Sequence, residues 1–600
     1  MMRVVDYIAQ FVRDDLGVHD VFMVSGGGMM FLSDGVAQCD GLSTVCSHHE
    51  QAAAMGAVGY AKYRNSFGAA MVTTGCGGTN AMTGVLNAWQ DAARVFFISG
   101  QCKRCQTVRG SGVPLRQFGV QEADIVALVG PITKYAVMLS EPTQVAYELE
   151  KAKYIANSGR PGPVWVDVPM DVQGALIDPE RLAHFEVSHD DGLQGAADAD
   201  LVLRELASAR RPLVLVGNGI DSARCADKLA AFVRKLQIPV VTSLTAENSV
   251  VFAHDNFIGR VGTKGSRSGN LAMSNADFVL SIGCRLSVST TGHEYAMFAR
   301  NAKVWVVDID PVEHSKGTVR IDRLIVCDIR RFFKQMETRQ LPQMSVAADW
   351  LERCRRWRNK YAIIPEECAL RTNGISMYAF MKILNRITPK FERCAVVSDA
   401  GSSFYVTSQT VSIASGQRYV TSGGQAEMGF SLPAAIGAAV AGATRVFAIT
   451  GDGSLQMNIQ ELQTLRHHGF PVKLFVWNNN GYLSIRATQR KFFNGRFIGT
   501  DPASGVSFPD LSKLVPAYGL QYRRISSGDE LLPVITGIAA SDEPVVCEIM
   551  CDPDEEVVPS ISSVKLSDGR MKSMPPEDMY PFLKWDEFKS EMLVEPIPRE

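Results

Sequence analysis

Residues 451–462 read GDGSLQMNIQEL, and they are followed by VKLFVW at 472–477 and by NNNG at 478–481. The short apolar runs RVFAIT (445–450) and VKLFVW are typical of buried strands, whereas the aliphatic residues between them recur at helical spacing. This stretch therefore predicts a β-α-β unit whose strands run parallel and end at the same edge of a sheet.

Asp452 and Asn479 each follow one of these strands, at the edge where open α/β sheets bind ligands. A carboxylate, an amide oxygen and a backbone carbonyl suit Mg²⁺, which prefers hard oxygen ligands and often shares them with a diphosphate. The helix that begins near Gly453 and Ser454 adds backbone N–H groups that face an anion. Gly-Asp-Gly is also a common turn and Asn-Asn-Gly a common loop, so each motif alone has an ordinary structural interpretation.

The chain has 600 residues, 46% of them hydrophobic, and a formal net charge of −2. Its length predicts several domains, and its balanced charge argues against a nucleic-acid partner. The N-terminus carries charges among its apolar positions, unlike a signal peptide, and the longest bland stretch, 432–443, is too short to cross a bilayer. Thirteen cysteines without regular spacing are typical of reduced thiols, so we expect a cytoplasmic protein with no membrane partner.

Strand and helix patterns alternate through three successive segments, which predicts an α/β fold with three doubly wound parallel-sheet domains. The polar stretch 189–198 is typical of a linker. Residues 553–600 are irregular and contain several prolines, as expected for a C-terminal tail or lid. We expect a first domain at 1–175, a central nucleotide-fold domain at 195–340 and a third domain at 370–552.

The GDG motif followed at a distance by NN resembles the thiamine diphosphate (ThDP) signature, and the surrounding sequence resembles the acetolactate synthase and pyruvate decarboxylase superfamily. The resemblance implies that Asp452, Asn479 and the backbone oxygen of Gly481 hold the metal. It also implies a pyrimidine-binding domain, a central Rossmann-like domain and a diphosphate-binding domain, in that order. Because the family closes its active site between two subunits, a homodimer or homotetramer is expected.

Glu50 lies in SHHEQAAAMGAVGYAKYR (47–64), on an apolar helical face where a carboxylate needs a partner. By resemblance, this glutamate hydrogen-bonds N1′ of the pyrimidine, which makes the 4′-amino nitrogen the base for the C2 proton. Backbone donors at a helix start are the structural alternative. Gly27 belongs to a loop that resembles one close to the reacting atoms, where glycine permits close backbone approach. Phe118 and Gln121 resemble side chains that face the bound intermediate.

Met428 lies in TSGGQAEMGFSLPAAIGAA, which resembles the segment that places a bulky side chain beneath the thiazolium and folds the cofactor into a V shape. The backbone carbonyl of Ala426 would then accept a hydrogen bond from the 4′-amino group. Glu427 stands where a small uncharged residue is usual, and it could face an acceptor that carries hydroxyl groups. Ser402 and Ser403 follow a predicted strand and are expected to contact the diphosphate.

Three central segments, GRVGTKGSRSGN (259–270), SIGCRLS (281–287) and VVDIDP (306–311), resemble the flavin-contacting segments of acetolactate synthases. Arg285 matches the first arginine of the family motif and Asp308 lies in the third segment, whereas the second arginine of the motif is absent. The resemblance allows FAD, although glycine-rich turns also occur in nucleotide-fold domains without a ligand.

The segment NNNGYLSIRATQ places Thr488 where acetolactate synthases have a tryptophan that shapes the acceptor pocket. Loss of an indole opens space for a bulkier acceptor and weakens discrimination among small ones. We therefore expect a carboligase that decarboxylates a 2-keto acid, with pyruvate as the expected substrate, and transfers the two-carbon unit to a carbonyl acceptor such as a nucleotide-linked ketosugar. Acetolactate synthase proper and a simple 2-keto acid decarboxylase are the alternatives.

Overall fold

The computed structural model describes residues 1–187, 199–251, 253–342, 347–364, 373–565 and 571–599, so the predicted linker at 189–198 lies outside the described residues. Three six-stranded parallel sheets with flanking helices confirm the predicted α/β class. The first sheet and most of the third belong to one compact unit, formed by Met1–His189, Phe391–Phe404 and Val420–Met550. The central sheet belongs to a second unit, formed by Asp190–Lys390, Tyr405–Tyr419 and Cys551–Glu600. The exact domain limits stay predictions.

The inner strands of the first sheet are built from residues that are buried on both faces, as expected for a parallel sheet covered by helices, whereas its two edge strands are partly exposed. The strands of this region are Met2–Arg3 (β1), Asp20–Met23 (β2), Ser43–Cys46 (β3), Gly68–Val72 (β4), Val95–Gln101 (β5), Tyr135–Met138 (β6), Val164–Pro169 (β7) and Leu176–Ile177 (β8). The helices are Val4–Gln10 (α1), Met30–Gln38 (α2), Glu50–Arg64 (α3), Cys76–Gln90 (α4), Val108–Ser111 (α5), Ile125–Val129 (α6), Val145–Asn157 (α7) and Met170–Gln173 (α8). The order in the sheet is β3-β2-β4-β5-β7-β6, and β1 pairs with β8.

The central sheet has the doubly wound order of a nucleotide-binding fold. Its strands are Pro212–Val216 (β9), Val240–Thr242 (β10), Phe257–Arg260 (β11), Phe278–Ile282 (β12), Lys303–Asp308 (β13) and Arg323–Val326 (β14). The helices are Ala199–Ser208 (α9), Gly219–Ser222 (α10), Ala226–Leu236 (α11), Arg267–Asn275 (α12), Val288–Thr291 (α13), Ile329–Glu337 (α14) and Ala347–Lys360 (α15). The order β11-β10-β9-β12-β13-β14 reverses between β9 and β12, which defines the switch point of the sheet.

The third sheet contains the two strands predicted from the opening motif. The strands are Cys394–Ser398 (β15), Arg418–Thr421 (β16), Arg445–Gly451 (β17), Val472–Asn478 (β18), Gln521–Ile525 (β19) and Val545–Met550 (β20). The helices are Met377–Ile387 (α16), Gly401–Thr410 (α17), Ser431–Val440 (α18), Asp452–Leu455 (α19), Glu461–His468 (α20), Leu483–Phe492 (α21), Leu511–Ala517 (α22) and Leu531–Ala540 (α23). The order is β16-β15-β17-β18-β20-β19.

The helix predicted between β17 and β18 is divided into α19 and α20. After α19, backbone N–H groups donate to the carbonyl three residues earlier, as from Asn458 N to Leu455 O. This pattern is that of turns and 3₁₀-helix rather than α-helix. The Asn458 side chain donates to Gly429 O at 2.9 Å, which ties these turns to the loop before α18. A polar contact distant in sequence therefore interrupts a segment whose apolar spacing is helical.

Helices α3 and α18 touch through glycines, and this contact joins the first and third sheets within one unit. A Cβ atom on Gly59 would lie 2.5 Å from Ala434 O, and one on Gly437 would lie 2.1 Å from Gly56 O. Only glycine permits such close approach of two backbones. The contact fixes the helix that begins with Glu50 against the helix that follows the Met428 loop.

The described part of the C-terminal tail packs within the central unit. It contains Ser563–Lys565 (β21), Met571–Ser573 (β22) and Trp585–Glu591 (α24). The buried carboxylate of Glu577 pairs with Arg300 at 2.6 Å, and Arg267 donates to the carbonyls of Met579 and Pro581. These contacts make the tail part of the central unit, and its role as a lid stays a prediction.

Candidate active site

Asp452 and the loop after β18 meet at the carboxyl edge of the third sheet. Because β17 and β18 pair in parallel, the residues that follow them are neighbours. Gly481 N donates to Asp452 Oδ2 at 3.0 Å, and Gly453 N donates to Oδ1 at 2.8 Å. The structure thus brings Asp452 together with the loop that carries Asn479 and Gly481.

The oxygen atoms of this loop have the chemistry of a cation site. Asp452 and Asn479 are both buried, and Asn479 Oδ1 has no hydrogen-bond partner among the described residues. Burial raises the pKa of Asp452 to about 6, while backbone N–H groups, including that of Gly481, act in the opposite direction. A buried amide oxygen without a partner and a buried carboxylate are costly, and Mg²⁺ would stabilise both, so these residues fit the metal.

Arg486 holds the same loop from the other side, and the sequence motifs did not predict it. Its Nη2 donates to Asn479 O at 2.8 Å, and its Nη1 donates to Asn480 O at 2.9 Å and to Thr500 O at 3.4 Å. The side chain is 5% exposed although it is charged. An arginine next to apolar residues close after the NNNG loop is the signal that sequence reasoning could have used, because a cation that becomes buried requires several acceptors.

A second residue that sequence reasoning missed, Asp399, organises the hydroxyl groups behind the metal loop. Ser403 Oγ donates to Asp399 Oδ1 at 2.6 Å, while Thr450 and Ser454 donate to Oδ2 at 2.8 and 2.6 Å. Burial raises the pKa of Asp399, and these hydroxyl groups act against that rise. Ser402 lies beside them and is also buried. The hydroxyl hydrogens of Ser403 and Ser454 therefore point to a carboxylate inside the protein.

The loop that contains Ala426 and Met428 contacts this assembly. Ala426 has a φ of 51°, a left-handed conformation that few residues other than glycine adopt. Gly429 N donates to Ser454 Oγ at 2.8 Å, which places the partly buried Met428 next to α19. Gly453 is required at its position, because a Cβ atom there would lie 2.2 Å from the Tyr482 ring.

Glu50 is the first residue of α3 and faces the start of α4. It is 8% exposed, and Asn80 Nδ2 donates to its Oε2 at 2.9 Å. A Cβ atom on Gly77 would lie 3.6 Å from Glu50 Oε1, so backbone approaches the other oxygen closely. Asn80 was not predicted. The hydrogen bond from Asn80 connects this carboxylate to the first sheet region, while His48 N donates to Oε1 of Glu461, the first residue of α20.

The glycine-rich loops of the first sheet meet at residues 73–77. Gly28 N donates to Thr73 Oγ1 at 3.1 Å, whereas Gly27 faces open space, with no atom within 4 Å of an added Cβ. Gly75 has a φ of 63°, and a Cβ atom there would lie 1.9 Å from Gln121 O. This segment therefore brings the Gly27 loop, the Gln121 loop and the surroundings of Glu50 together.

The loop with Phe118 and Gln121 is shaped by a buried carboxylate, Glu122. Its Oε2 accepts from Phe118 N at 2.7 Å and from Gly119 N at 3.1 Å. Phe118 is 52% exposed, and Gln121 is exposed with a φ of 58°. Both predicted side chains thus lie on an open surface, on a loop whose backbone is held from within.

Arg285 and Asp308 belong to the central unit. Asp308 ends β13, and its Oδ2 lies 3.3 Å from Nε2 of His314, whose ring is buried. Arg285 is exposed, and its carbonyl accepts from Lys316 Nζ. At the switch point, Gly219 N donates to Gly283 O at 3.0 Å, so the loops after β9 and β12 bond to each other.

Other site types find no support in the part of the chain that the structure describes. No group of three or more histidine, cysteine, aspartate and glutamate side chains there could hold a metal ion. The cysteines in these ranges are free thiols, including Cys102 and Cys105 of the CxxC sequence. Among the described helices, none is long and apolar enough to cross a membrane.

Three domain families match the chain in the order of its sheets. Residues 2–128 match the thiamine pyrophosphate enzyme, N-terminal TPP binding domain; residues 199–336 match the central domain; and residues 399–549 match the C-terminal TPP binding domain. These matches include Glu50 in the first family and Asp452, Asn479 and Gly481 in the third.

Whole-length relatives agree with the domain matches. The acetolactate synthase large subunit of Lactococcus lactis is 30% identical over 92% of this chain and 93% of its own length. The acetolactate synthase isozyme 3 large subunit of Escherichia coli is 33% identical over 86% of this chain and 89% of its own length. A probable acetolactate synthase large subunit of Methanocaldococcus jannaschii is 31% identical over 90% of each chain. The chain therefore belongs to the acetolactate synthase-like family of thiamine diphosphate-dependent enzymes.

Proposed function

We propose that this enzyme uses ThDP and Mg²⁺ to decarboxylate pyruvate and transfers the two-carbon unit to a carbonyl acceptor larger than pyruvate, of the nucleotide-linked ketosugar class. The observation that carries the choice of acceptor is Thr488, which stands where acetolactate synthases have a tryptophan. Thr488 is exposed on α21, and its Oγ1 donates to Ser484 O at 3.1 Å. A small side chain there leaves room that an indole would fill.

ThDP, when bound, supplies the carbon nucleophile that attacks the keto acid. Asp452, Asn479 and the carbonyl of Gly481 would hold Mg²⁺, which would supply positive charge to bind the diphosphate. We assign Ser402 and the backbone of Gly453 to the diphosphate. Ser403 and Ser454, whose hydroxyl groups donate to Asp399, support the site from behind.

Proton transfer at the pyrimidine is assigned to Glu50. Asn80 donates to one carboxylate oxygen, and the carboxyl group of Glu50 would interact with N1′ when the cofactor is bound. The carbonyl of Ala426 would accept from the 4′-amino group, and Met428 would support the ring from below. Gly27, Phe118 and Gln121 are assigned to the substrate side of the site, where they are exposed.

We further propose a homodimer or homotetramer that completes the site across subunits. Exposed apolar side chains support this. Phe118 is 52% exposed and Val120 is 83% exposed in one loop, while Phe492 at the end of α21 is 52% exposed and Ile498 after that helix is 76% exposed. Such clusters are typical of surfaces that a second subunit covers. A cytoplasmic location is proposed as well, with the free thiols as its support.

The loops of the central sheet fit FAD poorly, so we assign FAD no role in the reaction. The glycines of the flavin-like segment pack against other backbone, as at Gly262, where a Cβ atom would lie 2.1 Å from Ser289 O. Asn270 bonds both the N–H and the carbonyl of Gly262, so these groups are not available to a diphosphate. A visible absorption spectrum of the purified protein tests this directly, since bound flavin would give its bands.

The test of the reaction is incubation with pyruvate, ThDP and Mg²⁺, with and without a nucleotide-linked ketosugar. We expect CO₂ release, slow formation of acetoin or acetolactate from pyruvate alone, and acetyl transfer when the sugar is present. The variant Thr488→Trp should lose sugar transfer and gain acetolactate, whereas the matched control Thr488→Ala should not. If no CO₂ is released from pyruvate or from any other simple 2-keto acid, the proposal is wrong. If free acetaldehyde is the main product, the result favours a simple decarboxylase.

A further inference from the structure

A hydrogen-bond network within one unit is centred on Glu427, the residue before Met428. Asn87 Nδ2 donates to Glu427 Oε1 at 2.6 Å, and Ser422 Oγ donates to Oε2. Burial raises the pKa of Glu427, while the hydrogen bond from Ser422 and the charge of Lys62 act against that rise. Both carboxylate oxygens therefore accept a hydrogen bond from inside the protein.

Ser422 connects Glu427 to the strained turn at Ala426. The fully buried hydroxyl of Ser422 has one hydrogen, which it gives to Glu427, so its lone pairs remain for the N–H of Ala426 at 3.0 Å. Ala426 has a φ of 51°, which costs free energy for a residue with a side chain. The same N–H of Ala426 also donates to Ser422 O at 3.1 Å, so Ser422 holds this turn through its carbonyl and its hydroxyl, and the carboxylate orients the hydroxyl.

The opposite side of the network is fixed by the helices of the first sheet. Asn87 Oδ1 accepts from Lys62 Nζ at 3.2 Å, so the Asn87 amide group can point only its nitrogen to Glu427. Lys62 also donates to Asp91 at 2.5 Å and to Thr421 O at 2.6 Å. Asp91 in turn accepts from the backbone N–H groups of residues 423 and 424 at 2.8 and 2.7 Å. Helices α3 and α4 therefore hold both ends of the loop.

We propose that Glu427 is a positioning residue that sets the left-handed conformation of Ala426 and thereby aims its carbonyl at the amino group of bound ThDP. The inference rests on the proposed function, because it needs the cofactor in this site. It makes Glu427 act through Ser422, without touching the cofactor or substrate itself.

The test is the variant Glu427→Gln, measured by calorimetry of ThDP binding with Mg²⁺ and by circular dichroism of the bound cofactor. A glutamine amide would present its NH₂ group to Asn87 or to Ser422, both of which are donors here, and Asn87 cannot turn without facing Lys62 with its own NH₂. We expect ThDP affinity to fall about tenfold, the effect of one charge-assisted hydrogen bond, and the dichroism of the cofactor to change. The matched control is Glu148→Gln on α7, whose carboxylate accepts from the hydroxyl of Tyr135.

A double-mutant cycle with Ser422→Ala keeps the proposal falsifiable if the first variant is poorly stable. Because the effect passes through the Ser422 hydroxyl, the two changes together should cost little more than either alone. Strictly additive losses, or a Glu427→Gln variant that binds ThDP as the control does with unchanged dichroism, would overturn the inference. Failure of the wild-type protein to bind ThDP at all would instead overturn the proposed function.

Discussion

Replacement of Arg486 by lysine should weaken Mg²⁺ binding, because this side chain holds the loop that contains two of the proposed ligands. The guanidinium donates to three carbonyls, of Asn479, Asn480 and Thr500. A lysine ammonium is a single point donor and cannot reproduce this fork, so at least one of the bonds is lost. A hydrogen bond from a charged group is worth about 1.5–3 kcal/mol, and loss of a partner behind a metal ligand typically lowers metal affinity about 10- to 100-fold.

The assay is a Mg²⁺ titration at fixed ThDP, followed by calorimetry, for the wild type, Arg486→Lys and the control Arg490→Lys. Arg490 lies on the same helix but is exposed. We expect the Arg486 variant alone to require about tenfold or more additional Mg²⁺. Equal titrations of all three proteins, with folding confirmed by thermal unfolding, would refute the reasoning that this arginine positions the metal loop.

Three further predictions concern the first sheet region. Glu50→Gln should reduce turnover about 10²- to 10⁴-fold while ThDP still binds, since an amide cannot relay the N1′ proton; unchanged rates in a pyruvate assay would contradict the role. Gly75→Ala should lower the thermal midpoint more than Gly17→Ala does, because both glycines have a φ of 63° but only the first added methyl would meet an atom, Gln121 O at 1.9 Å. Burial raises the pKa of Asp167 to about 7, so its contribution to stability is full below about pH 4 and is lost as pH rises through 7. Denaturant unfolding at a series of pH values should show that the free energy of unfolding falls with rising pH in the wild type and not in Asp167→Asn. If the free energies of the two proteins change with pH in the same way, this prediction is wrong.

The metal loop could be predicted from sequence because its determinants are local. Asp452 and Asn479 directly follow apolar runs, and parallel pairing of adjacent strands is enough to bring them to one edge. The same reasoning placed Glu50 on a helix with an apolar face, and the structure has Glu50 as the first residue of the largely buried helix α3, the position that the structural alternative named. In each case, a pattern of a few residues fixes both the element and the position on it.

Sequence reasoning did not predict the hydrogen bonds of Asp399 and Glu427, because their partners are distant along the chain. Asp399 accepts from Thr450 and Ser454, and Glu427, which we expected to face an acceptor with hydroxyl groups, accepts from Asn87 of the first sheet region. Neither residue type nor local spacing indicates such pairs. The left-handed backbone at Ala426 is likewise invisible in sequence, because alanine rarely adopts it and tertiary hydrogen bonds impose it.

The charges around the metal loop indicate why metal and cofactor should bind together. Asp452 accepts a hydrogen bond from Gly481 N of this loop, and Arg486 donates to Asn479 O of the same loop, where its charge favours the charged form of Asp452. One carboxylate beside an arginine leaves a divalent ion with excess positive charge, which the diphosphate of ThDP would neutralise. We therefore expect Mg²⁺ and the diphosphate to strengthen each other's binding, so the Mg²⁺ titration should shift to lower concentrations as the ThDP concentration is raised.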